Sequence, residues 1–89
     1  MDREKPDRGP YMNVSVKLYS ILVKYRPENA ASYPIPEGAS LSYLIRALDI
    51  PEKLQKGLVV FVNSRIVNDL DKKLADRDEV KMFIAIGGG

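Results

Sequence analysis

The chain contains no cysteine and no histidine. Disulfide stapling, the usual zinc sites, cysteine nucleophiles and Ser-His-Asp chemistry are all excluded by that pair of absences. No apolar run approaches the ~18 residues that a membrane-spanning helix requires. Neither sign of charge dominates: 14 Lys and Arg face 12 Asp and Glu, a net +2, which commits the surface to neither nucleic acid nor membrane. Lys53, Lys56, Lys72 and Lys73 are scattered rather than striped. The five tyrosines lack the two-strand stacking pattern of RNA-reading sheets. The acidic residues form no dense cluster that suggests a carboxylate-bound Mg²⁺, and no two carboxylates are spaced as an acid–base pair in one pocket. A stand-alone metabolic enzyme is therefore the least supported class. Residues 1–10 carry charges with no apolar stretch behind them and do not read as a signal peptide. The 89 residues predict one small cytoplasmic domain.

Organisation along the chain follows from periodicity. Residues 1–10 are polar, mixed in charge and broken by prolines, and residues 1–12 read as a flexible extension. The expected domain spans 13–86, with 87–89 as a flexible glycine tail. Val14, Val16 and Leu18 alternate with polar residues and predict a half-buried strand. Ile21–Val23 either extend it or cover one end of the core. Ala30–Ile35 read as a weaker second strand, placed at an edge by Pro34, which has no N–H. Leu41, Leu44, Ile45 and Leu48 form one helical stripe behind Ser40, a plausible N-cap. Pro51 opens a short helical turn closed by Gly57. Leu58–Val62 read as a central strand, Asn63–Arg65 as a tight connection and Ile66–Val67 as a short return strand. Asn63 and Asn68 are most simply turn residues bonding their own backbone. Leu70 and Leu74 are expected to plug the core. Asp76, Asp78 and Glu79 either shape the turn before the last strand or pair with a basic partner. Val80, Met82, Ile84 and Ile86 share one parity of that strand. The resulting fold class is α+β, a four- or five-stranded mixed sheet packed on one main helix.

Parity assigns the two faces of this sheet. If Val14, Val16, Leu18, Val60, Val62, Val80, Met82 and Ile84 face the helix, then Val59, Phe61, Phe83 and Ala85 face away. No second helix is available to cover them, so Val59, Phe61 and Phe83 form a candidate partner-binding patch, with Lys17, Lys81 and Arg65 as a polar rim. The alternative is that the loop at 21–26 folds over these side chains.

The last strand runs into Gly87-Gly88-Gly89. Three consecutive glycines are uncommon where glycine is ~7% of ordinary composition. A backbone without Cβ atoms can thread a narrow channel and present the Gly89 carboxylate to another protein's active site; a frayed end is the plain alternative.

Four stretches carry a resemblance to a known family. They are Val16–Tyr19, Gly38–Ile45, Val60–Asn63 followed by Ile66-Val67, and Leu74–Val80 leading to the terminal glycines. In order and spacing they resemble the ThiS/MoaD family of sulfur carriers, which have the ubiquitin-like β-grasp fold. The similarity spans residues 13–89. It implies that an E1-like adenylating enzyme, using its own Mg-ATP, activates the carboxylate of Gly89, and that a sulfur-donating desulfurase or rhodanese then supplies the sulfur of a C-terminal thiocarboxylate. Gly88 and Gly87 would line the narrow approach, and Phe61 and Phe83 would belong to the docking surface. The small protein would bind no cofactor of its own. The receiving partner would be the large subunit of molybdopterin synthase, the leading expectation, or thiazole synthase. Ubiquitin-like attachment to proteins and a non-covalent β-grasp interaction module remain open. Two departures from the family pattern stand out: a third glycine preceded by Ala85-Ile86 without proline, and the N-terminal extension.

Overall fold

The computed structural model describes residues 10–85. Five strands form one mixed sheet in the order β2-β1-β5-β3-β4. They are β1 (Tyr11–Leu18), β2 (Tyr33–Pro36), β3 (Leu58–Val62), β4 (Arg65–Val67) and β5 (Glu79–Ile84). Parallel pairing of β1 with β5 places the first and last strands side by side at the centre. The remaining pairs are antiparallel. β1 begins two residues before the expected domain start at 13, because Tyr11 and Met12 pair with Pro36 and Ile35.

Helix α1 (Leu41–Ala47) lies on one face of the sheet. Its stripe of Leu41, Leu44 and Ile45, continued by Leu48, is buried. Ser40 caps it as expected: its Oγ accepts from the Tyr43 N–H at 3.2 Å. The stripe meets Val14, Val16, Leu18, Val60, Val62, Val80 and Met82 in a single core. Helix α2 (Glu52–Gln55) is one turn, tied back by Gln55 Nε2 donating to the Ile50 carbonyl at 3.0 Å.

Of the two readings for Ile21–Val23 the fold takes the second, a cover over one end of the core, and two other local readings are corrected. Residues Ser20–Tyr25 form a 3-10 turn, begun by Ser20 at φ 57°, and do not extend β1. Leu22 from this turn enters the core with no exposed surface, while Ile21 and Val23 face outward. The second strand is shorter than Ala30–Ile35: Ala30–Ser32 make another 3-10 turn and pairing starts at Tyr33. Leu74 plugs the core, but Leu70 is 38% exposed. The strap carrying Leu70 bonds to α1 through backbone, with Ser42 N–H donating to Leu70 O and Leu41 N–H to Lys72 O. Those bonds fix the strap without needing the Leu70 side chain.

Both sheet edges are short. On β2 the Glu37 N–H donates to the Pro10 carbonyl, which sets the alternation. Tyr33 and Ile35 then point their N–H groups at β1, and Pro34 and Pro36 fall where the outward donors would be. The two prolines close this edge to further strand pairing. β4 has only three residues, joined to β3 by Asn63-Ser64, both at positive φ (53° and 72°). Two left-handed central residues define the tight hairpin turn whose twist suits the flanking strands.

Candidate partner interface

Register builds the face opposite α1. Ser15, Lys17 and Tyr19 follow one parity of β1. Glu79, Lys81 and Phe83 lie beside them on β5, followed by Val59 and Phe61 on β3 and Ile66 on β4. The Tyr19 N–H donates to the Met82 carbonyl at 3.1 Å and carries this alignment past the end of β1. Phe61 and Phe83 are diagonal neighbours on adjacent strands. Their rings stack with centroids 6.2 Å apart and planes inclined by 17°. Both are half-buried, as is Val59. Tyr19, Ser64 and Lys81 complete a shallow groove around the two phenylalanines.

The turn Ser20–Tyr25 contributes nothing to the lining of this groove, since its buried side chain, Leu22, points into the main core. Arg65 is not part of the rim. It pairs with Val62, whose side chain is on the helix side. Tyr19, Ser64, Ile66 and Glu79 belong to the face and escaped the sequence reading. Tyr19 shares the parity of Lys17, and Ile66 falls opposite Phe61 once the hairpin turn is fixed at two residues.

Charge lies beside the apolar groove. Glu79 pairs with Lys17 at 3.3 Å and with Lys81 at 3.8 Å. Below this triplet the segment Ala75–Glu79 is held by side chains. Asn63 Nδ2 donates to Asp78 Oδ1 at 2.8 Å, and the Glu79 N–H donates to Asn63 Oδ1 at 2.9 Å. Asp78 Oδ2 accepts from the Ala75 N–H, and Asp76 Oδ1 accepts from the Asn13 N–H. Asn63 thus bonds to the start of β5 rather than to its own turn, and Asp76 and Asp78 shape the turn. Arg77 sits between them at φ 72° and donates its backbone N–H to the Asn13 carbonyl at 2.7 Å.

At the other end of β5, the Ala85 N–H donates to the Gly57 carbonyl at 2.8 Å. A side chain at Gly57 would contact the Ala85 carbonyl and the Ile84 side chain at 3.4 Å, so β5 passes close to that backbone. Gly87, Gly88 and Gly89, the expected reactive end, lie outside the described residues. Among the described residues no group of three or more acidic, His or Cys side chains could hold a metal ion, and no helix is long and apolar enough to cross a membrane.

A five-stranded mixed sheet in this order, with one main helix across one face, defines a ubiquitin-like β-grasp protein. The chain belongs to the ThiS family, whose model matches residues 21–89. None of the curated proteins matches it at a significant level. Solved structures do. The solution structure of HVO 2177 from Haloferax volcanii superposes with a TM-score of 0.73 at 18% identity, covering 98% of this chain and 94% of that one. A protein described as molybdopterin converting factor subunit 1 from Pyrococcus furiosus gives 0.61 at 25% identity, over 84% and 99% of the two chains. The thiamine biosynthesis protein ThiS from Geobacter metallireducens gives 0.61 at 20% identity, over 88% and 100%. The protein is thus a β-grasp member of the ThiS family.

Proposed function

We propose that the chain carries sulfur as a thiocarboxylate on Gly89 and donates it in molybdopterin biosynthesis. The observation that carries this reading is the continuity of β5. The strand displays Lys81 and Phe83 on the face away from the helix, its end is tied by the Ala85 N–H to the Gly57 carbonyl, and Gly89 lies four residues further along the sequence. Four residues span at most ~14 Å fully extended. A partner that grips the Phe61–Phe83 groove therefore receives the Gly89 carboxylate within a short radius, and docking turns a bimolecular encounter into a local reaction.

The chemistry needs no catalytic side chain from this protein. A carboxylate is a poor electrophile because oxide is a poor leaving group. In the proposed sequence the Gly89 carboxylate attacks the α-phosphorus of ATP held by an E1-like adenylating enzyme. Pyrophosphate leaves and an acyl-adenylate remains. A persulfide from a desulfurase or rhodanese attacks the acyl carbon and AMP departs. Reductive release of the donor's sulfur chain by a thiol leaves the thiocarboxylate. Gly87 and Gly88 pass the tail through a channel too narrow for a Cβ. The large subunit of molybdopterin synthase then draws the tail into its own site. The 25% identity to the Pyrococcus protein supports this pathway.

The ThiS family match favours one second reading, a carrier that feeds thiazole synthase. Incubation with ATP, Mg²⁺, the adenylating enzyme and a persulfide donor should add the mass difference of sulfur for oxygen at the C-terminus. Deleting Gly87, Gly88 and Gly89 together should abolish that gain and leave the unfolding midpoint unchanged. An unmodified wild-type chain in the complete system would refute the carrier reading in favour of a non-covalent module. Supplying the thiocarboxylate to each synthase in turn separates the two pathways.

A further inference from the structure

Lys17 and Lys81 stand directly beside each other on the parallel strands β1 and β5. Like charges at opposed positions of a sheet cost stability, and among the described residues one carboxylate, Glu79, serves both ammonium groups at 3.3 and 3.8 Å. Lys81 also walls the groove between Phe61 and Phe83. Its side chain is 35% exposed, and a lysine at such a margin lays its stem on apolar surface with the ammonium towards water. When an apolar partner surface seals the groove, that ammonium loses water, and a desolvated charge without a full partner is costly. Glu79 cannot neutralise both lysines. The face therefore carries one positive charge in excess at the margin of its apolar groove.

We propose that Lys17 and Lys81 select the partner: the protein surface that docks here carries a carboxylate beside an apolar patch, placed to pair with Lys81 while Glu79 stays with Lys17. This inference rests on the docking face of the carrier reading and specifies the chemistry of its complement. It places the apolar contact of Phe61 and Phe83 in the role of affinity, and the lysine pair in the role of orientation and encounter rate.

The test uses the full chain and the purified adenylating enzyme of the same organism, with binding followed by calorimetry and activation by ATP–pyrophosphate exchange. Lys81→Met keeps the stem and removes the charge. It should raise both Kd and KM about tenfold with kcat unchanged, and flatten the rise of Kd with salt seen for the wild-type chain. Glu79→Gln should steepen the salt dependence, because both lysines then seek partner carboxylates. Circular dichroism and thermal unfolding confirm that both variants fold. If Lys81→Met and Lys17→Met bind with wild-type affinity and salt dependence, the selection role is wrong while the carrier reading stands. Salt-sensitive binding that depends on Lys81, with no exchange, overturns the carrier chemistry and leaves the selection role intact. Absence of both binding and exchange overturns both.

Discussion

The two faces of β5 are made from alternate residues of one six-residue strand, yet they behave as different materials. Val80 and Met82 have no exposed surface and join α1 in the core. Lys81 and Phe83, one position away from each, are half-buried on the opposite face, outside the main core. β3 repeats the division with Val60 and Val62 against Val59 and Phe61. The even positions supply stability and the odd positions supply contact. A small domain can hold a rigid face towards a partner only because the reverse side of the same strands is fully committed to the core.

The largest stability effect should come from the committed side. Met82→Ala removes a side chain with no exposed surface and leaves a cavity, for a loss of about 2–5 kcal/mol. That is a large share of the ~5–10 kcal/mol a domain of this size holds. Urea unfolding measures it, and a change below ~1 kcal/mol would mean that the core closes around the gap. Phe83→Ala, on the next residue, should reverse the pattern. Its cost in stability is expected near ~1 kcal/mol, from half-burial and the lost ring stack. Its cost in docking to the adenylating enzyme should be ~2 kcal/mol or more, about thirtyfold in KM, as for a buried aromatic at the centre of an interface. Equal stability losses from the two substitutions would show that the open face is structural after all.

This division was legible in the sequence because a strand has a side-chain period of two and β3 and β5 keep strict parity. The helix was equally plain, since its apolar stripe and Ser40 cap are local signals. Open alternatives and misreadings arose where tertiary contacts decide. Ile21, Leu22 and Val23 are all apolar, so parity cannot tell which one enters the core; a left-handed Ser20 turns the chain and selects Leu22. Ala30–Ser32 carry no strong preference, and the register with β1 sets where β2 begins. Leu70 looks like a core residue by type, but backbone bonds from α1 hold its strap with the side chain outside. Asn63 gave the turn but not its bonds, because its partners are 15 and 16 residues away.

Those bonds give the next prediction, smaller than the first two. Asn63 links the end of β3 to the start of β5, and so holds both faces in one register. Asn63→Ala and Asp78→Ala should each cost about 1–2 kcal/mol, the range for losing hydrogen bonds and stranding their partners. The double variant should cost less than the sum, with a coupling near ~1 kcal/mol in a double-mutant cycle. Strict additivity would show that the two side chains act independently. Docking should weaken only as far as stability does, unlike in Phe83→Ala.

A change at the same hairpin should have the opposite sign. Ser64 sits at φ 72° beside the groove, in a conformation that L residues other than glycine enter at a cost. Ser64→Gly should stabilise the domain by about 0.5–1 kcal/mol in urea unfolding, net of the added chain entropy of glycine. The groove should keep its affinity, since the Phe61–Phe83 stack does not involve Ser64. A stability loss would place the hydroxyl in a role that the backbone strain does not capture.

The smallest effect belongs to the helix side and appears only at alkaline pH. Tyr33 packs against the core from β2, and its phenol titrates above the ordinary 10.0. Burial is the first cause; the neighbouring Tyr43 and Asp49 add to it. A phenol with a raised folded-state value keeps its proton after the unfolded chain has lost it. The associated stability is complete below the unfolded value of ~10 and declines as the pH rises through that value and then the folded one. As the pH rises through the unfolded value of about 10 the wild-type chain should therefore lose stability more steeply than Tyr33→Phe, which has nothing to ionise there. Urea midpoints across that window measure the difference, and the comparison cancels the contributions of the other tyrosines. Parallel curves would show that Tyr33 reaches water freely and that the edge at β2 is looser than the closed side of the sheet requires.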